Sequence, residues 1–507
     1  MKKLPIGIQT LKEIITGNYI YIDKTSYALE IIENYKYVFL SRPRRFGKSL
    51  FLDTLKEIFE GNKELFEGLY IYDKYDFKEY PVIKISWGGN FDETEKLIKR
   101  AMFILKNNQE RLGVKCESDT PEEFFAELIQ KSYEKYQKPV AVLIDEYDKP
   151  IFDNLQNKEV ALKNRDFLRG FYVQIKESDE YMKFAFLTGI TKFAKASIFS
   201  GLNNLVDISL REKYASICGY TQKDVESEFK EHLKGADLEK VKEWYNGYNF
   251  LGESVYNPFD ILQFIDNGFV FKNYWWNSGQ SLGIFKEVTS GRYYIPELEN
   301  LKVNETAFDT VDVENFSLEA LLFQGGYLTI DRVIYDEDFD MYEYKLKIPN
   351  KEIQKSLNEL FLNFLTDGYK VDKHSIMEAL RGADFEKMKD ALYSLFASIP
   401  YNNYTNNNIS VYEGYYASVV YAYLASLGVK IIAEDVTNRG RIDISVFFKD
   451  KIYIIEFKVG DEDALKQIKE KKYYEKYLTE KKEIYLIGIN FDEEKRNISK
   501  FEWERVK

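Results

Sequence analysis

Histidine and cysteine are almost missing from this chain, which has two of each in 507 residues. Cys116 and Cys218 lie far apart in sequence and can build neither a disulfide framework nor a metal knuckle, which suits a reducing cytosol. With only His232 and His374, a histidine-rich zinc centre is excluded, and a serine-type triad could draw on only one of the two. Any metal chemistry must therefore rest on carboxylates, which favours magnesium or manganese. No apolar run approaches the length of a membrane span, and Met1-Lys2-Lys3-Leu4-Pro5 leads into no signal-peptide core. The expectation is a soluble cytoplasmic protein with no membrane partner. Net positive charge is lacking too: a balance of −12 argues against indiscriminate coating of nucleic acid, though not against a local basic groove.

What is present is apolar content of 45%, enough for several cores in a chain of three or four domains. The organising stretch is Tyr37-Val38-Phe39-Leu40-Ser41-Arg42-Pro43-Arg44-Arg45-Phe46-Gly47-Lys48-Ser49. Strand-forming residues enter a Pro- and Gly-punctuated turn, and Leu50, Phe51, Leu55, Ile58 and Phe59 then recur at helical spacing. Strand, loop and helix in that order make a phosphate-binding loop. Lys48 would reach the terminal phosphates, Ser49 would hold Mg²⁺, and the amides from Gly47 onward would face the anion. The pattern asks for glycine where Arg42 stands, so only its second half is kept. Arg42, Arg44, Arg45 and Lys48 are expected to serve nucleotide phosphates rather than DNA.

About a hundred residues on, Val140-Ala141-Val142-Leu143-Ile144-Asp145-Glu146 is an apolar run ending in two acids. A buried parallel strand delivers carboxylates in this way to its carboxyl end, where ligands of open α/β sheets bind. Asp145 would hold the Mg²⁺ shell and Glu146 would orient or deprotonate water, with Asp148 next in line.

Arg42 to Ser49, the upstream Tyr21-Ile22-Asp23-Lys24-Thr25 and Leu143-Ile144-Asp145-Glu146-Tyr147-Asp148-Lys149-Pro150 together resemble the bacterial AAA-ATPase-like family whose members carry a C-terminal PD-(D/E)XK nuclease-like domain. The resemblance runs over nearly the whole chain. It implies an ATP-binding module joined to a nuclease-type fold.

The expected fold class is α/β: a P-loop, doubly wound, mainly parallel sheet in an AAA-like domain over 1–213, a helical lid over 214–300, a winged-helix-like connector over 301–400, and a small α/β restriction-endonuclease-like domain over 401–507. In the first domain Tyr19 to Ile22 reads as a brief strand, and Tyr21 and Asp23 either line the adenine and ribose side or pack. Pro81 to Ser86 and Lys183 to Gly189 read as further sheet strands. Thr188 stands where AAA-like folds carry a sensor residue, with Thr191 competing for the role and a capping function equally open. The lid is read from helices over Thr221–Phe229 and Leu238–Trp244. The connector's two alternating strands carry Asp336, Glu337, Asp338 and Asp340 at a tip that would repel phosphate. Asn402 to Asn408 reads as the last linker.

Beyond it, Tyr412 to Leu427 reads as an amphipathic helix with Glu413 in its first turn, ended by Gly428. Gly440-Arg441-Ile442-Asp443 follows, then a three-residue turn, Lys449-Asp450-Lys451, and Ile454-Ile455-Glu456-Phe457-Lys458. Strand alternation puts Glu456 and Lys458 on one face, and the hairpin can bring Asp443 beside them. These three make the Asp-(x)n-Glu-x-Lys core of such nucleases. The carboxylates would bind one or two Mg²⁺, with Mn²⁺ as substitute, and Lys458 would position water or neutralise charge. Glu413 is the expected extra acid, and Gln467 resembles a glutamine that some members place at the site. The expected activity is an ATP-binding, ATP-hydrolysing protein coupled to cleavage of nucleic acid, DNA ahead of RNA; the alternative is a nucleotide-controlled switch that binds nucleic acid without cutting. A homo-oligomer is compatible with either.

Overall fold

The computed structural model describes residues 1–192, 198, 202–278, 298, 301–308, 317–399 and 413–507. The expected linker Asn402 to Asn408, and Tyr412, lie outside them. The chain divides into two compact units, one of residues 1–284 with 302–350, the other of 285–301 with 351–507. The division at Asn350 runs through the expected 301–400 connector.

In the first unit, β1 (Tyr37–Ser41), β2 (Val82–Ser86), β3 (Val140–Asp145), β4 (Met182–Gly189) and β5 (Val206–Asp207) form a sheet in the order β2-β3-β4-β1-β5, every pairing parallel. Every residue of β3 is buried, as a strand covered on both faces must be. Alternation along β4 divides the two layers. Ala185 and Leu187 join a core with the helices Thr94–Leu112, Pro121–Tyr136 and Lys158–Glu177, while Phe184 and Phe186 meet Phe59 and Phe51 of the helix Lys48–Phe59. The expected strand at Tyr19 to Ile22 is only a single bridge, Lys3 to Tyr19. Ile20 and Ile22 instead enter a core with the helices Gln222–Glu228, Leu238–Tyr245 and Pro258–Asp266. The first of these opens on a capping box between Thr221 and Asp224. A hairpin forms, but not with the expected first strand: Phe323 to Gly325 close the helix Leu318–Gly325 and only Thr329 and Ile330 of the expected strand Phe323 to Ile330 enter β7 (Thr329–Asp336), which pairs β8 (Met341–Lys347), with β6 (Lys302–Asn304) on the other side of β8.

In the second unit, β9 (Lys430–Thr437), β10 (Gly440–Phe448), β11 (Lys451–Val459), β12 (Glu483–Asp492) and β13 (Asn497–Arg505) form a mixed sheet in the order β13-β12-β11-β10-β9, with only β11 and β12 parallel. Two expectations are corrected here. The helix Glu413–Ala425 is not amphipathic: from Tyr416 onward every residue is buried, because its Tyr, Val, Ala and Leu side chains find apolar neighbours all round. The β10–β11 turn has two residues rather than three, since Lys451 pairs with Phe448 and Lys449 adopts φ 52°, the left-handed geometry of tight hairpins.

Candidate active sites

The first site is a cleft of about 520 Å³ in the first unit, lined by Tyr21, Lys24, Arg45, Lys48, Glu146 and Asp148 among others. Gly47 at φ 93° turns the chain into the helix Lys48–Phe59, and an added Cβ would meet nothing there. Its conformation, not its space, requires glycine. The opening amides of that helix, with no intrahelical acceptors, are what an anion would meet. Ser49 lines the same cleft. Lys48 Nζ donates to the carbonyls of Arg42 and Pro43, both at 2.9 Å. Burial pulls its pKa down, with the charge of Asp145 the strongest opposing influence.

Asp145 is buried at the end of β3 and accepts from the Glu146 amide at 3.0 Å. Glu146 has φ 54°, and burial followed by Asp145 pushes its carboxyl up. A carboxylate so raised and facing a cleft suits proton abstraction. One oxygen of Asp148 is engaged: its Oδ2 accepts from the amides of Ile190 and Thr191 and from the Thr191 hydroxyl. Arg45, at φ 66°, lies 5.1 Å over the Phe259 ring, and Arg44 lies 4.7 Å over Trp275.

In this cleft two expectations fail and one open alternative closes. Arg42 does not face phosphate; it is 1% exposed and its guanidinium binds carbonyls of Ser41, Ser209 and Tyr214, a planar fork matched to peptide oxygens. Thr188 is not aimed at the cleft either. It pairs with Leu40 across β4 and β1, and its hydroxyl donates to the Leu40 carbonyl at 2.8 Å. Asp23 packs rather than lines: it accepts from Thr25 and from the Tyr70 amide, while Tyr21 does line the cleft and shares a hydrogen bond with Thr54. Lys24, ion-paired to Asp224 at 2.9 Å, and Lys149 are cleft cations that spacing does not single out. Their presence inside the Tyr21–Thr25 and Leu143–Pro150 stretches is the signal that could have found them.

The second site lies in the second unit, where the β10–β11 ladder runs from Phe448↔Lys451 to Ile444↔Ile455 and stops. Two residues beyond Ile455, the Phe457 amide donates to Asp443 Oδ2 at 2.8 Å, so a side-chain carboxylate takes over from the backbone carbonyls of the ladder. Glu456 is 1% exposed, as expected from its apolar neighbours on both faces. Its Oε1 accepts from Gln467, carried by the helix Ala464–Lys471, and its Oε2 has no hydrogen-bond partner among the described residues. Burial pushes the Asp443 carboxyl up to about 7 and that of Glu456 up to about 9. Lys458 Nζ stands 2.9 Å from Glu413 Oε1 and 4.0 Å from Glu456 Oε1. Tyr473 was missed: its hydroxyl interacts with Gln467 and lies near Glu456, and nothing in its spacing marks it.

Among the described residues no three His, Cys, Asp or Glu side chains form a ready cation cage, and Glu413 accepts from Lys458 instead. Asp443 and Glu456 nevertheless fit a divalent cation: they are hard oxygen donors, one of them orphaned, in a buried place that resists two negative charges.

Comparison with known proteins agrees with both halves. A family described as predicted AAA-ATPase matches residues 5–199, and the PD-(D/E)XK nuclease superfamily matches residues 411–501. A protein of Azotobacter chroococcum mcd 1, described as "Uncharacterized protein in vnfD 5'region", is 43% identical over 510 residues, covering 99% of this chain and 98% of that one. Among the described residues no helix is long and apolar enough to cross a membrane.

Proposed function

Because the chain belongs to the AAA-ATPase-like family with a C-terminal PD-(D/E)XK nuclease domain, we propose that it binds and hydrolyses ATP at the Lys48 cleft and cleaves nucleic-acid phosphodiesters at Asp443, Glu456 and Lys458, DNA ahead of RNA. The observation that carries the nuclease half is the orphaned Glu456 oxygen beside Asp443 and Lys458. In the cleft, Lys48 exchanges its two loop carbonyls for phosphate oxygens, Ser49 and Asp145 hold the magnesium of the nucleotide, and Glu146 takes a proton from water. In the second unit Asp443 and Glu456 hold Mg²⁺ or Mn²⁺, Gln467 fixes the orientation of Glu456, and Lys458 offsets charge on the scissile phosphate. When bound, the cation supplies the positive charge that acidifies an attacking water. Glu413 then serves either as a third acid or as the anchor of Lys458.

The Lys458–Glu413 pair at 2.9 Å favours a second reading, a nucleotide-controlled switch that binds nucleic acid without cutting it, since it engages the third acid while Lys458 stays 4.0 Å from Glu456. One experiment separates them: purified protein incubated with labelled single- and double-stranded DNA and RNA, with and without ATP, Mg²⁺ and Mn²⁺. Cleavage dependent on metal supports the nuclease. Binding without cleavage under every condition leaves the switch.

A further inference from the structure

We infer that Arg42, at the position where phosphate loops carry glycine, is a positioning residue that fastens one wall of the nucleotide cleft to the loop. The inference rests on the nucleotide reading of that cleft. Arg42 Nη1 donates to Ser41 O at 2.9 Å and to Ser209 O at 2.7 Å; Nη2 donates to Tyr214 O at 3.0 Å and to Ala215 O at 3.5 Å. The guanidinium lies 4.0 Å over the ring of Phe250. One cation thus gathers the carbonyls of the segment that runs immediately into Ile217, Cys218, Gly219 and Tyr220, which line the cleft.

Two further bonds join the loop and its flanking strand to the same wall segment. The Ser41 amide donates to Ser209 Oγ at 2.8 Å, and the Gly219 amide donates to the Phe46 carbonyl at 3.1 Å. At its other end Arg42 offers its own carbonyl to Lys48 Nζ. A glycine at 42 could keep that carbonyl but could hold none of the wall. The arginine side chain reaches away from the phosphates, so its contribution should be the same for any nucleotide that fills the wall side of the cleft. It should also be absent from the rate at which bound ATP is hydrolysed. Lys48, by contrast, acts on phosphate.

The test uses the full chain with Arg42→Gly, Arg42→Lys and Phe250→Leu, titrated with Mg²⁺-ATP and Mg²⁺-ADP and assayed for ATP hydrolysis. Arg42→Gly is expected to bind both nucleotides about tenfold more weakly, about 1.4 kcal/mol, with KM raised and kcat unchanged. Guanidinium ion, added far below denaturing concentration, should fill the space left and restore affinity, and should do nothing for Lys48→Ala. Arg42→Lys and Phe250→Leu should show smaller losses, again equal for ATP and ADP. They carry the test if Arg42→Gly does not fold. Unchanged affinity, a loss confined to ATP, or a loss that neither guanidinium nor lysine relieves would overturn the inference. If the parent binds neither nucleotide, it is the ATP reading that fails.

Discussion

Lys458 Nζ is shared between two acids, lying 2.9 Å from Glu413 Oε1 and 4.0 Å from Glu456 Oε1. One ammonium therefore links the first turn of the helix Glu413–Ala425 to β11, and its charge bears on the carboxylate whose second oxygen is orphaned.

If this centre cleaves phosphodiesters, Asp443→Ala and Glu456→Ala should each lose nearly all cleavage, because each removes a donor of the cation. Lys458→Ala should lose about 10²–10³ in rate, as for removal of one charge-stabilising donor. The losses should not add. Cleavage rates of the three single variants and the double carboxylate variant check this, alongside Mn²⁺ binding, which should fall for the carboxylate variants only.

Stability in the absence of metal should fall as pH rises. Asp443 and Glu456 have folded-state values of about 7 and about 9 against ordinary values of 3.8 and 4.5, so between these limits the native protein holds more protons than the unfolded chain. The derivative of unfolding free energy with pH is then negative. Thermal unfolding in chelator should move to lower temperature from about pH 5 to about pH 9, and Glu456→Gln should flatten the trend. A trend equally steep in that variant would place the proton elsewhere.

Lys48→Ala should abolish tight ATP binding with little change in unfolding temperature. Lys48 itself lines the open cleft, so water entering the place it vacates can replace the donor lost by the two loop carbonyls. Glu146→Gln should bind ATP normally and hydrolyse it slowly. Isothermal titration and phosphate release distinguish the two effects, and equal hydrolysis in Glu146→Gln would move water activation away from that side chain.

Gly47→Ala isolates backbone conformation. No atom obstructs an added methyl, so the penalty is that of left-handed geometry at φ 93°, roughly 1–2 kcal/mol. The expected result is a loss of nucleotide affinity as the loop relaxes, measured beside unfolding temperature with and without ATP.

The strands and acids were legible because burial on both faces writes continuous apolar runs, as in β3. A carboxylate inside such a run, Glu456, is costly to bury and so stands out as a group held there for its chemistry. Side-chain aim was not legible. Thr188 and Arg42 stand at positions named for their neighbours in sequence, yet a carbonyl on β1 and four on distant or adjacent segments decide where their polar atoms go. The helix Glu413–Ala425 reads as amphipathic because Gly and Tyr at its start resemble a solvated face, although Tyr416, Tyr421 and Tyr423 are buried. Strand β13 is silent in the sequence because Asn497-Ile498-Ser499-Lys500-Phe501 carries the polarity of an edge, which is where it lies.

The strand order has a mechanical corollary. β4 lies between β1, which feeds the phosphate loop, and β3, which carries the acids, so these two are two strand spacings apart, about 10 Å. β4 is a gauge block, and its last residue, Gly189, is its finished face: a methyl there would stand 2.3 Å from Asp148 Oδ1 and 2.6 Å from the Tyr147 ring. The turn that follows the acids thus packs against a residue that has no side chain at all, and any thickening of β4 at that end would push directly on Tyr147 and Asp148.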